Sequence, residues 1–294
     1  MKKMVVSAVQ MKCSRNLDEN LESAKKFIKE SKSSGADLVL LPELFGSRYF
    51  CSTEDIKNFD LAEPVDGKTN TFISNLAKEV GISVICPFYE KRAPGLYHNS
   101  TTIYNRSGDL VGLFRKMHIP HDPLFYEKYY FTPGEAEDGF KSFDVENAKI
   151  GVLICWDQWY PEGARCTTLK GAEILFYPTA IGWHPSEKPT FGSKQVDAWR
   201  TIQRSHAIAN GVFVVSANRV GFEDTANTDG LEFFGNSFIC DPFGEIIASA
   251  DHSTECLLVS EIDLSLIEET RRNWPFLRDR RIDAYSGILN RWGR

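Results

Sequence analysis

The 294-residue sequence holds no apolar run approaching the ~20 residues that a membrane-spanning helix needs. Its start, Met1-Lys2-Lys3 followed by Met4 to Val9, is too short for a secretory apolar segment and has no small-residue cleavage site after it. A cytoplasmic protein is expected. Basic charge is not in excess: 34 Lys plus Arg stand against 40 Asp plus Glu, a net charge of -6. Nonspecific nucleic-acid affinity draws on clustered Lys and Arg, so neither nucleic acid nor membrane is expected as a partner. Paired cysteines are missing too. The seven (Cys13, Cys51, Cys86, Cys155, Cys166, Cys240 and Cys256) are scattered without CxxC spacing, which excludes a disulfide scaffold and leaves reduced thiols. No linker, low-complexity tract or repeat interrupts the chain.

What is there is an ordinary globular composition, 42% hydrophobic and 25% charged, on a chain long enough to bury roughly 75% of its extended surface. Val5 to Gln10 reads as a strand. Leu17, Leu21, Ala24, Phe27 and Ile28 form a helical stripe that ends at Gly35. Leu38 to Leu41 is strand again; Phe72, Ile73, Leu76, Ala77 and Val80 make a second stripe closed by Gly81, and Ile82 to Phe88 returns to strand. Arg106-Ser107-Gly108-Asp109 joins Asn99 to Asn105 and Leu110 to Phe114 as a hairpin. The alternation then resumes: strand Ile150 to Ile154, helix Pro161 to Lys170, strand Glu173 to Pro178, helix Val196 to Ala209, strand Gly211 to Ala217, and a hairpin at Asp241-Pro242-Phe243-Gly244. This pattern predicts an α/β protein with mixed sheets in a single domain, 1–294.

Ligands of α/β sheets collect where strands end. Glu43 ends the run Leu38 to Pro42. Lys116 follows Gly112-Leu113-Phe114-Arg115, and Cys155 follows Ile150 to Ile154. Taken singly, each has an ordinary reading: a core thiol, a loop or capping carboxylate, a surface ammonium.

Taken together they carry more. Leu41-Pro42-Glu43-Leu44-Phe45, Phe114-Arg115-Lys116-Met117-His118-Ile119-Pro120 and Gly151-Val152-Leu153-Ile154-Cys155-Trp156-Asp157 resemble the three catalytic motifs of the nitrilase (carbon-nitrogen hydrolase) superfamily, in the same order and separated by 73 and 39 residues. The resemblance runs from the first strand to Arg281. It implies a four-layer α-β-β-α sandwich, a Glu43-Lys116-Cys155 triad and no cofactor or metal. Tyr126 to Gly134 resembles the segment that bears a second glutamate, matched by Glu127; its ordinary alternative is a loop carboxylate paired with Lys128.

The chemistry accounts for those residue types. Cleaving an unactivated C–N bond needs a better nucleophile than water, and Lys116 offers a cation that would lower a thiol's ordinary pKa of about 8.5. The Lys116 ammonium and the Trp156 backbone N–H would stabilise the developing oxyanion, and Glu43 would carry the proton.

Gln158-Trp159-Tyr160-Pro161-Glu162, Gly171 to Gly182 and His118-Ile119-Pro120 resemble the superfamily's N-carbamoylputrescine amidohydrolases. Members acting on N-carbamoyl amino acids carry two arginines soon after the cysteine, where this chain has Gln158 and Trp159. A carboxylate left unpaired in a pocket is costly, so a carbamoyl amine is the expected substrate, with a β-ureidopropionase-like or ω-amide activity as the alternative. Asp122 and Glu187 are candidates for holding the distal ammonium; Tyr49, Tyr126, Trp159 and Trp183 for walling the channel; His118, Thr179 and Ala180 for lining the pocket. In the plant members a glutamate lies within the equivalent of Gly182-Trp183-His184-Pro185, whereas here Glu187 comes later.

Two further readings stay open. One is a non-catalytic binding module of the same fold. The other is a zinc hydrolase on His118, His121 and a cysteine, although His118-x-x-His121 sits beside prolines and lacks a zincin glutamate. His206 reads as a packed helical histidine. The tail from about 265 to 294 carries Trp274 and Phe276 among charges, and the resemblance implies that it lies at a subunit interface of a homo-oligomer.

Overall fold

The computed structural model describes residues 2–225 and 228–293. Its strands are β1 (Lys3–Gln10), β2 (Leu38–Leu40), β3 (Ser83–Ala93), β4 (Leu96–Tyr104), β5 (Leu110–Arg115), β6 (Phe143–Val145), β7 (Ala148–Val152), β8 (Ile174–Thr179), β9 (Gly182–Trp183), β10 (Phe213–Asn218), β11 (Val220–Glu223), β12 (Leu231–Phe234), β13 (Phe238–Cys240), β14 (Ile246–Ser249) and β15 (Cys256–Asp263). The α-helices are α1 (Leu17–Ser33), α2 (Lys68–Val80), α3 (Glu127–Tyr130), α4 (Pro161–Leu169), α5 (Lys188–Asn210) and α6 (Ser265–Asn273).

Two six-stranded mixed sheets form, in the orders β15-β1-β2-β3-β4-β5 and β14-β13-β10-β8-β7-β6. The crossover strands pair in parallel (β1 with β2, β2 with β3, β7 with β8, β8 with β10), and the hairpin strands pair antiparallel. One apolar core joins Val6, Leu40, Ile85 and Phe114 of the first sheet to Ile150, Val152 and Val214 of the second, and continues to Ala164 of α4 and Trp199 and Ala207 of α5. A second core packs Leu21, Ala24, Phe27 and Ile28 of α1 and Ile73 and Leu76 of α2 on Val39, Leu41 and Val84. The layers therefore run helix, sheet, sheet, helix, as the resemblance implies.

Local chemistry explains the helix limits. The Asn16 side chain accepts from the Asp18 N–H and caps α1, and Gly81, at φ +70°, ends α2 in the left-handed region that glycine tolerates. The hairpin between β4 and β5 turns on Gly108 at φ +82°, with the Asn105 side chain accepting from Ser107 and Asp109. Helix α5 departs from expectation, starting at Lys188 rather than Val196. Pro189 fits its first turn, and Gly192 is buried against Trp183, whose indole N–H donates to the Gly192 carbonyl at 3.0 Å. Tertiary packing supplies there what the apolar stripe lacks.

Candidate active site

Glu43 leaves β2 just before Leu44, a non-glycine residue at φ +50°. The Glu43 carboxylate is wholly buried. Its Oε1 accepts from Asn99 Nδ2 at 2.7 Å and from Lys116 Nζ at 2.8 Å, while Oε2 has no hydrogen-bond partner among the described residues. Lys116 immediately follows β5 and is also wholly buried. Its ammonium reaches Glu127 Oε2 at 2.7 Å, and Glu127 Oε1 accepts from the Tyr49 hydroxyl at 2.7 Å. Lys116 thus lies between two carboxylates, a local charge of -1 when all three are ionised.

Cys155 leaves β7 at φ +43°, a strained backbone for a non-glycine residue. Asp157 fastens the bend: its Oδ2 accepts from the Ile154 N–H at 2.9 Å, and its Oδ1 from the His118 N–H at 2.9 Å. Cys155 is buried, with Sγ 3.9 Å from the Ala180 carbonyl oxygen. Trp156 is the second residue of the short 3-10 helix Cys155–Trp159, in whose first turn backbone N–H groups have no intrahelical acceptor.

The electrostatics correct one expectation. Lys116 alone would lower the Cys155 pKa, but burial first and the Glu43 carboxylate second push the thiol well above its ordinary range, and the ammonium only partly offsets them. Burial likewise opposes charge on Lys116, yet the Glu127 and Glu43 carboxylates outweigh it and hold the ammonium protonated far beyond its usual range. Burial and Glu43 raise Glu127 against the pull of Lys116. A standing thiolate is disfavoured here, and Glu43 Oε2 carries no hydrogen bond among the described residues.

A cavity of about 560 Å³ runs from buried Glu127 and Cys155 to exposed Asp122, Glu187 and Lys194. Trp156, Trp159, Phe125, Phe191 and Phe234 supply apolar walls, and Ala180 lines it as well. Of the expected pocket residues, Asp122, Trp159, Ala180 and Glu187 therefore face this space. The others are held elsewhere. Tyr49 is spent on Glu127. His118 stacks on Tyr160, with ring centroids 3.8 Å apart, and its Nδ1 meets Asp157 at 2.7 Å. Tyr126 packs edge-on to His121. The Thr179 hydroxyl bonds Gln158, whose amide oxygen accepts from Trp199, and Trp183 is buried against Phe234. Gln158 accordingly does not line the cavity, whereas Trp159 does.

A model of the carbon-nitrogen hydrolase family matches residues 5–272. The chain belongs to the carbon-nitrogen hydrolase family. It is an amidohydrolase of the nitrilase superfamily. Among curated relatives, N-carbamoylputrescine amidase of Arabidopsis thaliana is 42% identical over 98% of this chain and 96% of that protein, and a citrullinase of Francisella tularensis is 40% identical over 98% of each. A crystal structure of a carbon-nitrogen hydrolase from Helicobacter pylori G27 superposes with a TM-score of 0.95 at 43% identity, over 99% of this chain and 100% of that one.

Several polar groups of this hydrolase escaped the sequence reading: Asn99 on Glu43, Asp157 under the Cys155 bend, and Arg219 with Glu223 behind Glu43. Asp157 stands within a quoted motif, and its position two residues after the cysteine was a usable signal. Arg219 contacts residues 175 and 176 positions away, and no local pattern announces that.

Proposed function

We propose that this carbon-nitrogen hydrolase converts N-carbamoylputrescine to putrescine, carbon dioxide and ammonia. Cys155 Sγ attacks the ureido carbon as Glu43 Oε2 takes the thiol proton, and the oxyanion forms against the Lys116 ammonium and the Trp156 N–H. Glu43 returns the proton to the departing ammonia, which leaves an N-alkyl thiocarbamate on Cys155. Glu43 then activates water, the thiol is released, and the carbamic acid loses carbon dioxide to give the amine. Glu127 keeps Lys116 in place.

The observation that carries the reading is the cavity itself: apolar walls between a buried cysteine and a mouth bearing Asp122 and Glu187. A butyl chain suits the walls, and a terminal ammonium suits the acids. Lys194 on the same rim favours a second reading, a ureido α-amino acid such as citrulline, whose carboxylate it could pair. Ammonia release from N-carbamoylputrescine, citrulline and N-carbamoyl-β-alanine separates the two. The first is expected to be fastest by kcat/KM, and equal or reversed rates overturn the assignment. The exposed Trp274, Phe276, Ile288, Leu289 and Trp292 of the C-terminal segment support a homo-oligomer, which light scattering tests.

A further inference from the structure

Among the described residues, the mechanism leaves one wholly buried cation unused. Arg219, in the turn between β10 and β11, has no exposed surface. Its Nη2 donates to the carbonyl oxygens of Glu43, at 3.0 Å, and of Leu44, and its Nε to the Glu43 carbonyl at 3.3 Å. Its Nη1 meets Glu223 Oε1 at 2.9 Å. The second oxygen of Glu223 accepts from the Tyr49 backbone N–H at 2.7 Å, and the hydroxyl of that same Tyr49 holds Glu127. One ion pair therefore grips the backbone that carries Glu43, at the left-handed Leu44, and the residue that orients Glu127.

A buried pair of this kind is weak support for stability, since well-packed apolar side chains often serve as well. Its geometry has another use. The guanidinium fork fixes two carbonyls and a carboxylate at once, which neither a point charge nor an apolar group can do. We infer that Arg219 and Glu223 are positioning residues that hold the two carboxylates flanking Lys116 in register for proton transfer. The inference rests on the roles proposed above for Glu43 and Cys155, but not on the identity of the substrate.

Three variants test it: Arg219→Lys, Glu223→Gln and Tyr49→Phe. Each is examined by thermal melting, by kcat and KM on any amide that the wild type turns over, and by iodoacetamide alkylation of Cys155 from pH 6 to 10, read at that residue by mass spectrometry. A displaced Glu43 no longer takes the thiol proton, so alkylation of Arg219→Lys at pH 7 should slow about tenfold and approach the tenfold-per-pH-unit slope of an unassisted thiol. kcat should fall about 10- to 100-fold with KM within about twofold, the cost of a small misplacement of a catalytic group. A pair that merely staples the fold would, once weakened, open the site and speed alkylation. That result, or a folded variant with wild-type kcat and alkylation profile, overturns the inference. If Arg219→Lys does not fold, Glu223→Gln, which keeps the volume but removes the charge that fixes the Arg219 guanidinium and so loosens its hold on the Glu43 and Leu44 carbonyls, carries the same expectations and the same refutation. If that also fails, Tyr49→Phe removes only the hydroxyl at the far end of the chain of contacts; a tenfold or greater loss of kcat supports the inference, and an unchanged kcat overturns it. Alkylation needs no substrate, so failure to hydrolyse N-carbamoylputrescine would sink the substrate reading alone.

Discussion

Glu127→Gln removes one charge from the centre of the site while keeping its volume, and the consequences can be worked through. The Lys116 ammonium lies 2.7 Å from Glu127 Oε2, a gross attraction of about 6 kcal/mol at an effective dielectric of about 20. Breaking a buried pair from one side costs about 3–5 kcal/mol, and because Glu43 still holds Lys116 at 2.8 Å the lower figure applies. An unfolding entropy of about 2.1 cal/mol/K per residue converts that to a melting temperature lower by about 5 °C for a chain of this length. The Glu127 charge is also one of the influences that raise the Cys155 pKa. With a neutral amide in its place the thiol pKa falls, the thiolate fraction at pH 8 rises, and alkylation of Cys155 should quicken. Turnover should nevertheless drop about 100-fold, because Lys116 loses a fixed partner just where the oxyanion needs it. Melting curves, alkylation rates and ammonia release on the same preparation give all three numbers. Alkylation slower than wild type, or an unchanged melting temperature, would refute the charge balance described for this site.

Replacing Cys155 with serine should leave the melting curve nearly unchanged and lower turnover by on the order of 10⁴ or more, the scale seen when a nucleophile is deleted; near-normal ammonia release would name another nucleophile. Glu187→Gln combined with Asp122→Asn should raise KM for N-carbamoylputrescine about tenfold, roughly 1.4 kcal/mol, with kcat little changed. An unaltered KM would mean that the mouth does not hold the amine. Burial holds the His206 pKa down to about 4, so the unfolded chain binds that proton more readily between pH 6.5 and 4. Stability linked to His206 is present above pH 6.5 and is lost as pH falls, by about 3 kcal/mol in all. His206→Gln should flatten that part of the melting-temperature profile, and an unchanged slope would assign the acid sensitivity to other groups.

The layered architecture was legible because period-2 and period-3.6 stripes carry it: Leu21, Ala24, Phe27 and Ile28 line up in the sequence and are buried together in the structure. The exits of β2, β5 and β7 were equally legible, because apolar runs stop there on ionisable residues. What escaped notice depends on partners far apart in the chain. Tyr49 reads as an aromatic wall, yet its hydroxyl is spent on a residue 78 positions away. Trp183 reads the same way, yet it anchors α5 through Gly192. In each case the ring is amphipathic, and its polar tip chose the position. The Cys155 thiol shows the complementary failure, because the sign of its shift needs burial and two carboxylates weighed against one ammonium, and only coordinates supply those together.

The site is divided between the two sheets. Glu43 and Lys116 hang from the first, Cys155 from the second, and the spacing of the proposed base and nucleophile is set by the core between them, where Phe114 and Val152 are each about 1% exposed. Close packing transmits small shifts, so a methylene lost there acts on rate as well as on stability. Arg219 reaches from the second sheet to the backbone of Glu43 and spans the same division with directed bonds. Selectivity is local for the same reason. At physiological ionic strength charges are screened beyond roughly 8 Å, so a net charge of -6 spread over the surface discriminates little between a carbamoyl amine and a carbamoyl acid. Asp122, Glu187 and Lys194 line the cavity instead, and the proposed preference for the amine rests on those two acids against one base.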